Sequence, residues 1–135
     1  MSPEIIAALI VGTLIVLMVI LFVMRRLPRR LKPDYFTSQW RKLQSQLPDK
    51  SHWAQAIIEA DQLLDEALRK RRIKGKTMGE RLVKIQKEFS DNDAVWFGHK
   101  LSAKLKNNPE LSVRKHDVKR ALLGLQQGLK DIGAL

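Results

Sequence analysis

The chain contains no cysteine in its 135 residues. Disulfides, thiolate metal ligands and a cysteine nucleophile are therefore excluded, and a cytoplasmic location fits. No Lys or Arg occurs before Arg25, and Glu4 is the sole acidic residue of that stretch. No segment alternates apolar and polar residues with period two, so no β-strand is expected. The histidines, His52, His99 and His116, show neither H-x-x-x-H nor H-E-x-x-H spacing, and no metal site is expected. No Ser, His and Asp grouping stands out, and capping at helix starts accounts for most carboxylates. No catalytic residue, no enzyme activity and no cofactor is expected.

Positive charge and one long apolar run dominate what is present. Lys and Arg number 25 against 14 Asp and Glu, a formal net charge of +11. Such an excess suits anionic partners, phospholipid headgroups or nucleic acid, and equally serves solubility and membrane orientation. Residues 5–24, IIAALIVGTLIVLMVILFVM, carry no charge and no polar stripe. Twenty helical residues at about 1.5 Å each span roughly 30 Å, the thickness of a bilayer core. Thr13 is the single hydroxyl, and it can bond back to its own helix.

A cleaved leader would need a basic start, a shorter apolar stretch and a small-residue cleavage site. Met1-Ser2-Pro3-Glu4 has no positive charge, and the run ends in Val-Met-Arg-Arg, so an uncleaved anchor is expected. Arg25, Arg26, Arg29, Arg30 and Lys32 crowd its C-terminal flank. The positive-inside rule then puts the short N-terminal tail outside and residues 25–135 in the cytoplasm. Anionic lipid headgroups are the expected partner of residues 25–32, at about 1 kcal/mol per charge.

Residues 25–33 read as a basic linker interrupted by Pro28 and Pro33, and residues 34–135 as one helical domain. Asp34 to Leu47 places Phe36, Trp40, Leu43 and Leu47 at helical spacing before Pro48. Ser51 to about Arg72 has the strongest amphipathic pattern, with Trp53, Ile57, Ala60, Leu64 and Ala67 in one stripe. Further helices are expected from Met78 to Phe89, after Ser90-Asp91-Asn92-Asp93, and after Ser112 up to Gly133. The three tryptophans recur on apolar faces, where packing suits them better than an exposed base-stacking platform. Gly124-x-x-x-Gly128 lies in a water-soluble helix, where it permits close approach of a neighbour or lowers helix stability. The fold class is all-α: one transmembrane helix, then a four- to five-helix bundle.

The stretch RRIKGKTMGERL, residues 71–82, contains Gly75-Lys76-Thr77, the end of a P-loop. The first glycine of G-x-x-x-x-G-K-[ST] would fall at Lys70, and the motif follows a helix instead of a strand, so a nucleotide site is rejected. Thr77-Met78-Gly79-Glu80 is a capping box, in which Thr77 accepts the Glu80 amide and Glu80 reaches back to the Thr77 amide. Gly75 is expected to supply the left-handed or turn conformation that ends the preceding helix. Lys70, Arg71, Arg72, Lys74, Lys76 and Arg81, balanced only by Glu80, give this joint its charge, as a solvated turn or as a contact for lipid or nucleic acid.

Three pieces of the chain, Trp53 to Asp65 (W-x-x-x-I-x-x-A-D-x-L-L-D), Gly75 to Leu82 (G-x-T-x-G-E-R-L) and Asp91 to Leu101 (W-x-x-H-K-L after an acidic start), resemble small bacterial helical bundles of unassigned function. Such bundles commonly follow one membrane span. More distantly the pattern resembles HEPN-type bundles, some of which are RNases with an R-x4-6-H motif. After His99-Lys100-Leu101 this chain has Ser102-Ala103 and then Asn107-Asn108 where that motif would stand. The resemblance therefore implies a copy without that nuclease activity. The expected role is a membrane-anchored, non-catalytic module that binds a protein partner. The alternative is a membrane-tethered nucleic-acid binder.

Overall fold

The structure, a computed structural model, describes residues 1–27 and 30–135, with Arg26 by its backbone alone. The described residues form six α-helices and no strand. Helix α1, Pro3–Arg26, starts with Pro3 in its first turn and Glu4 beside its positive dipole end. Thr13 donates its hydroxyl to the Leu9 carbonyl at 2.8 Å, so the one polar side chain of the run is satisfied within the helix. The apolar side chains of α1 are exposed, Ile6 at 45% and Met18 at 70%. This is one helix long and apolar enough to cross a membrane.

Helix α2, Pro33–Ser45, buries Phe36, Trp40 and Leu43, spaced four and three apart on one face. Pro33 interrupts the chain as expected, by opening this helix. A 3-10 turn, Lys50–His52, follows, with the Asp49 carboxylate accepting the Ser51 amide at 3.0 Å. Trp53 then opens α3, Trp53–Lys70, two residues later than expected, and donates its indole N–H to the Leu47 carbonyl at 2.7 Å. Helix α3 is the central element. Its stripe of Ala56, Ile57, Ala60, Leu63, Leu64, Ala67 and Leu68 is buried and packs against α2 on one side and the last two helices on the other. Burying a side chain such as Leu64 contributes about 1.5–3 kcal/mol.

Helix α4, Met78–Lys84, is shorter than the expected Met78–Phe89. At Ile85 the chain leaves α-geometry for a 3-10 turn, Gln86–Glu88. Leu82, Ile85 and Phe89 are buried on one side of this segment while Val83 stays 51% exposed. Helices α5, Asn92–Asn107, and α6, Lys115–Asp131, form the closest pair in the molecule. The Gly124-x-x-x-Gly128 spacing works here by close approach. A Cβ on Gly124 would stand 2.4 Å from the Ala94 carbonyl oxygen, and Gly98 meets Ala121 and Leu125 in the same way. Trp40 is core, whereas Trp53 and Trp96 are half-buried at its edge.

Candidate functional site

The three segments Trp53 to Asp65, Gly75 to Leu82 and Asp91 to Leu101 converge on one polar seam. Asp61 and Asp65 lie one turn apart on α3 and so point the same way. Asp61, 2% exposed, has both carboxylate oxygens against Nδ1 of His99 from α5, at 3.0 and 3.1 Å. The Trp96 ring meets His99 edge-on at 5.7 Å. Asp65 takes two N–H bonds from Arg81 of α4, at 2.8 and 3.1 Å, and a third Arg81 N–H goes to the Gly75 carbonyl at 2.7 Å. Arg69 shares Asp65 at 3.5 Å. A buried carboxylate without such a partner would cost several kcal/mol, so each pairing ties two helices together.

The seam also corrects two expectations for the joint. The Thr77 hydroxyl accepts the Glu80 amide at 3.2 Å, as a capping box requires, but the Glu80 carboxylate reaches the Lys76 amide at 2.8 Å, one residue before the expected donor. Nor is Gly75 the left-handed residue that ends α3. Arg72 is, with φ 61°, followed by an Ile73 N–H bond to the Leu68 carbonyl at 3.0 Å. That is a Schellman ending with arginine where glycine is usual. Gly75 matters for space instead: a Cβ there would stand 2.9 Å from Cγ of Arg81.

His99 oriented by a carboxylate resembles the base-and-orienter half of a nucleophilic triad. No Ser or Thr hydroxyl is bonded to it among the described residues. Nor do the described residues contain a group of three or more His, Asp and Glu placed to hold a metal.

A second arrangement lies where α1 ends. Arg72 extends from the end of α3 and donates from Nη1 to the Arg25 carbonyl at 3.1 Å, 47 residues away. One of the orphan carbonyls at the C-terminus of α1 is thereby capped by the bundle. Beside this bond opens a cleft of about 670 Å³ lined by Arg25, Arg69, Arg72, Ile73, Lys74, Gly75 and Arg81. A neighbouring cleft of about 850 Å³ shares Arg69 and Arg72 and adds Arg30, Leu31, Lys32, Tyr35, Phe36, Glu66 and Lys70. Glu66 is the acidic group of this collar. It lies 3.4 Å from Lys70 and accepts the Tyr35 hydroxyl at 3.1 Å. That hydrogen bond, with burial and the Glu66 charge, holds the Tyr35 phenol above its ordinary pKa of 10.0. The Lys70 ammonium also sits 4.3 Å over the Tyr35 ring. Arg69 and Arg81 share Asp65, which leaves Arg25, Arg30, Lys32, Arg72 and Lys74 without a carboxylate partner among the described residues.

Of the sequence-derived contact residues, the fold thus brings together Arg25, Arg30, Lys32, Lys70, Arg72 and Lys74. Arg71 turns away and pairs with Glu88 through two N–H bonds. Lys76 lines neither cleft. Arg29 and the break at Pro28 lie outside the described residues, as does the side chain of Arg26. Sequence reasoning missed Arg69 and Tyr35 as collar members. The four-residue spacing of Asp65 and Arg69 was the available signal that these two groups share one face of α3.

No family model, curated protein or solved structure matches the chain.

Proposed function

We propose that the chain is a single-pass protein of a bacterial inner membrane, with residues 34–135 a cytoplasmic, non-catalytic module that holds a protein partner at the bilayer. The observation that carries this reading is α1: Pro3–Arg25 is apolar enough to span a membrane and 0% buried. In water those side chains would form an apolar patch far larger than monomeric proteins tolerate. A leader sequence passes the same test of length and composition. The Val-Met-Arg-Arg ending of the run, with no small-residue cleavage site, favours a retained anchor. The positive-inside rule favours the bundle on the cytoplasmic side.

The polar seam supports binding over chemistry, because Asp61, Asp65, His99 and Arg81 are all engaged in joining helices. The face best suited to a partner is the α5–α6 edge. Leu123, 54% exposed, stands there beside a cleft of about 440 Å³ that His116, Lys119 and Arg120 also line. Asp91 also lines it but is engaged by the Ala94 amide, and an apolar centre with a mainly basic rim suits an acidic amphipathic segment.

The test has two arms. Alkaline carbonate should leave the full-length chain in the membrane pellet. A photo-crosslinking residue at position 123 should give a discrete adduct in native membranes that the same residue at Lys106 does not. Release by carbonate sinks the anchor, and identical patterns at the two positions sink the partner face.

The carboxylate-free cations of the collar favour a second reading, a membrane-tethered nucleic-acid binder. Phosphate contacts release counterions, so its affinity for RNA would fall steeply with salt. RNA binding by the full chain that survives physiological salt would bring this reading forward.

A further inference from the structure

We propose that the cleft between Arg25, Arg72 and Lys74 is a binding site for one anionic glycerophospholipid, its phosphodiester held by these three cations and its acyl chain laid along α1. The inference rests on the membrane-anchor reading and adds a specific ligand to it.

Four observations point this way. Arg72 occupies a left-handed backbone position, φ 61°, at which glycine carries no penalty and arginine does. Its side chain spends one N–H on the Arg25 carbonyl. A guanidinium has five donors, and no carboxylate is paired with this one among the described residues. Lys74 and Arg25 line the same cleft and likewise have no carboxylate partner among the described residues. Arginine's fork matches phosphate geometry, and lysine adds a point charge.

The depth is also right. In a spanning α1, Arg25 falls at the headgroup level, where the run of apolar residues ends. Directly above it on the same face, one and two turns back, stand Leu21 at 56% exposure and Met18 at 70%. An acyl chain attached to a phosphate in the cleft would lie against that stripe. Single-stranded nucleic acid would gain further from an open aromatic platform for its bases. The nearby Tyr35 ring is covered by the Lys70 ammonium at 4.3 Å and meets Phe36 edge-on at 5.1 Å.

The experiment uses the full chain in mild detergent with equal phosphatidylglycerol and phosphatidylcholine. Lipids retained on the protein are counted by native mass spectrometry. The variants are Arg72→Gly, Lys74→Gln and, outside both clefts, Lys76→Gln. Arg72→Gly suits the left-handed backbone, so the bundle keeps its fold, which its melting curve reports separately. The first bound lipid should favour phosphatidylglycerol by about tenfold or more, since each basic residue near an anionic headgroup is worth about a fivefold change. Arg72→Gly and Lys74→Gln should each erode that preference severalfold, and Lys76→Gln should leave it unchanged.

Equal retention of the two lipids overturns the proposal, as does an equal loss in the Lys76→Gln control. Inorganic phosphate added at about 10 mM should not displace the lipid. If it does, the site is one for free anions. Displacement by a short RNA transfers the site to the nucleic-acid reading. A chain released from membranes by carbonate fails at the anchor, and the proposal falls with it. A chain that stays anchored but shows no lipid preference refutes the lipid site alone.

Discussion

Gly124→Ala should destabilise the bundle although alanine is the better helix former. In an isolated helix the change gains about 1 kcal/mol. In the fold a Cβ at position 124 would stand 2.4 Å from the Ala94 carbonyl oxygen, 2.7 Å from its carbon and 2.9 Å from its Cβ. Cβ atoms are essentially never found within 3.0 Å of such neighbours, so α5 and α6 must separate by at least 3.0 − 2.4 = 0.6 Å. A gap of that order forfeits about a quarter to a half of each dispersion contact along the pair. Because the obstacle is backbone, no rotamer change relieves it. Overpacking of this kind costs about 1–3 kcal/mol net. With about 2 kcal/mol lost, a domain of this size should melt roughly 10 °C lower. The assay is a thermal melt of the full chain in mild detergent, followed by near-ultraviolet circular dichroism of the tryptophans. Gly79→Ala is the matched control: its nearest neighbour is a Trp96 ring carbon at 3.6 Å, an ordinary contact. It should be neutral or raise the melting point by a few degrees, from a gain of about 0.5–1 kcal/mol. If Gly124→Ala melts at or above the wild type, or if both variants fall together, α5 and α6 do not pack through Gly124.

Two further outcomes are expected. Asp65→Asn should cost about 2–4 kcal/mol in the same melt, because it leaves the Arg81 guanidinium, 10% exposed in its side chain, without a counter-charge; the double variant Asp65→Leu with Arg81→Met should recover most of the loss, and equal instability of the single and double variants would refute the pairing. Burial pushes the Asp131 carboxyl up, but bonds from the Ser90 amide, the Gln127 side chain and the Ser90 hydroxyl outweigh it and hold its pKa below the ordinary 3.8. A lowered folded value means stability that is complete above the unfolded pKa and disappears as pH falls through the folded one. The stability gap between wild type and Asp131→Asn, by denaturant titration at successive pH values, should therefore be constant above about pH 5 and close below pH 4; a gap that widens in acid would refute the assignment.

How legible the fold was in the sequence depended on the distance over which each feature is encoded. The stripe of Ile57, Ala60, Leu64 and Ala67, the Thr77 cap and the unbroken run of α1 are local patterns, and the helices stand close to where those patterns place them. The single helix expected from Met78 to Phe89 stops at Ile85, although Leu82, Ile85 and Phe89 keep the one-face spacing of a helix and are all buried, so the pattern of apolar residues carries no sign of the break. The joint was half legible. Its charges could be counted, but the side chains that face α1 could not be told from those that do not. Arg71 is withdrawn by Glu88, 17 residues along the chain, and Arg72 is directed by a left-handed φ that a bare arginine does not announce. The seam was visible as motifs without meaning, since the partners of Asp61 and Asp65 lie 38 and 16 residues away.

The seam and the collar are not independent. Pairs of buried ions add little net stability, since apolar residues of equal volume would serve as well or better. What they fix is register. Asp65 is bonded on its inner side by Arg81 of α4 and on its outer side by Arg69, and both arginines line the cleft that receives Arg25 and Lys74. The Gly75 carbonyl, held by the third N–H of Arg81, anchors the chain one residue after Lys74. Three bonds to one guanidinium thus determine where the end of α3 and the start of α4 sit, and with them the position of Arg72 against the α1 terminus. A core built only of leucine would pack these helices as firmly and leave that joint free to slide. The carboxylates that cost α3 stability are therefore the groups that hold a particular set of cations at the end of the apolar helix.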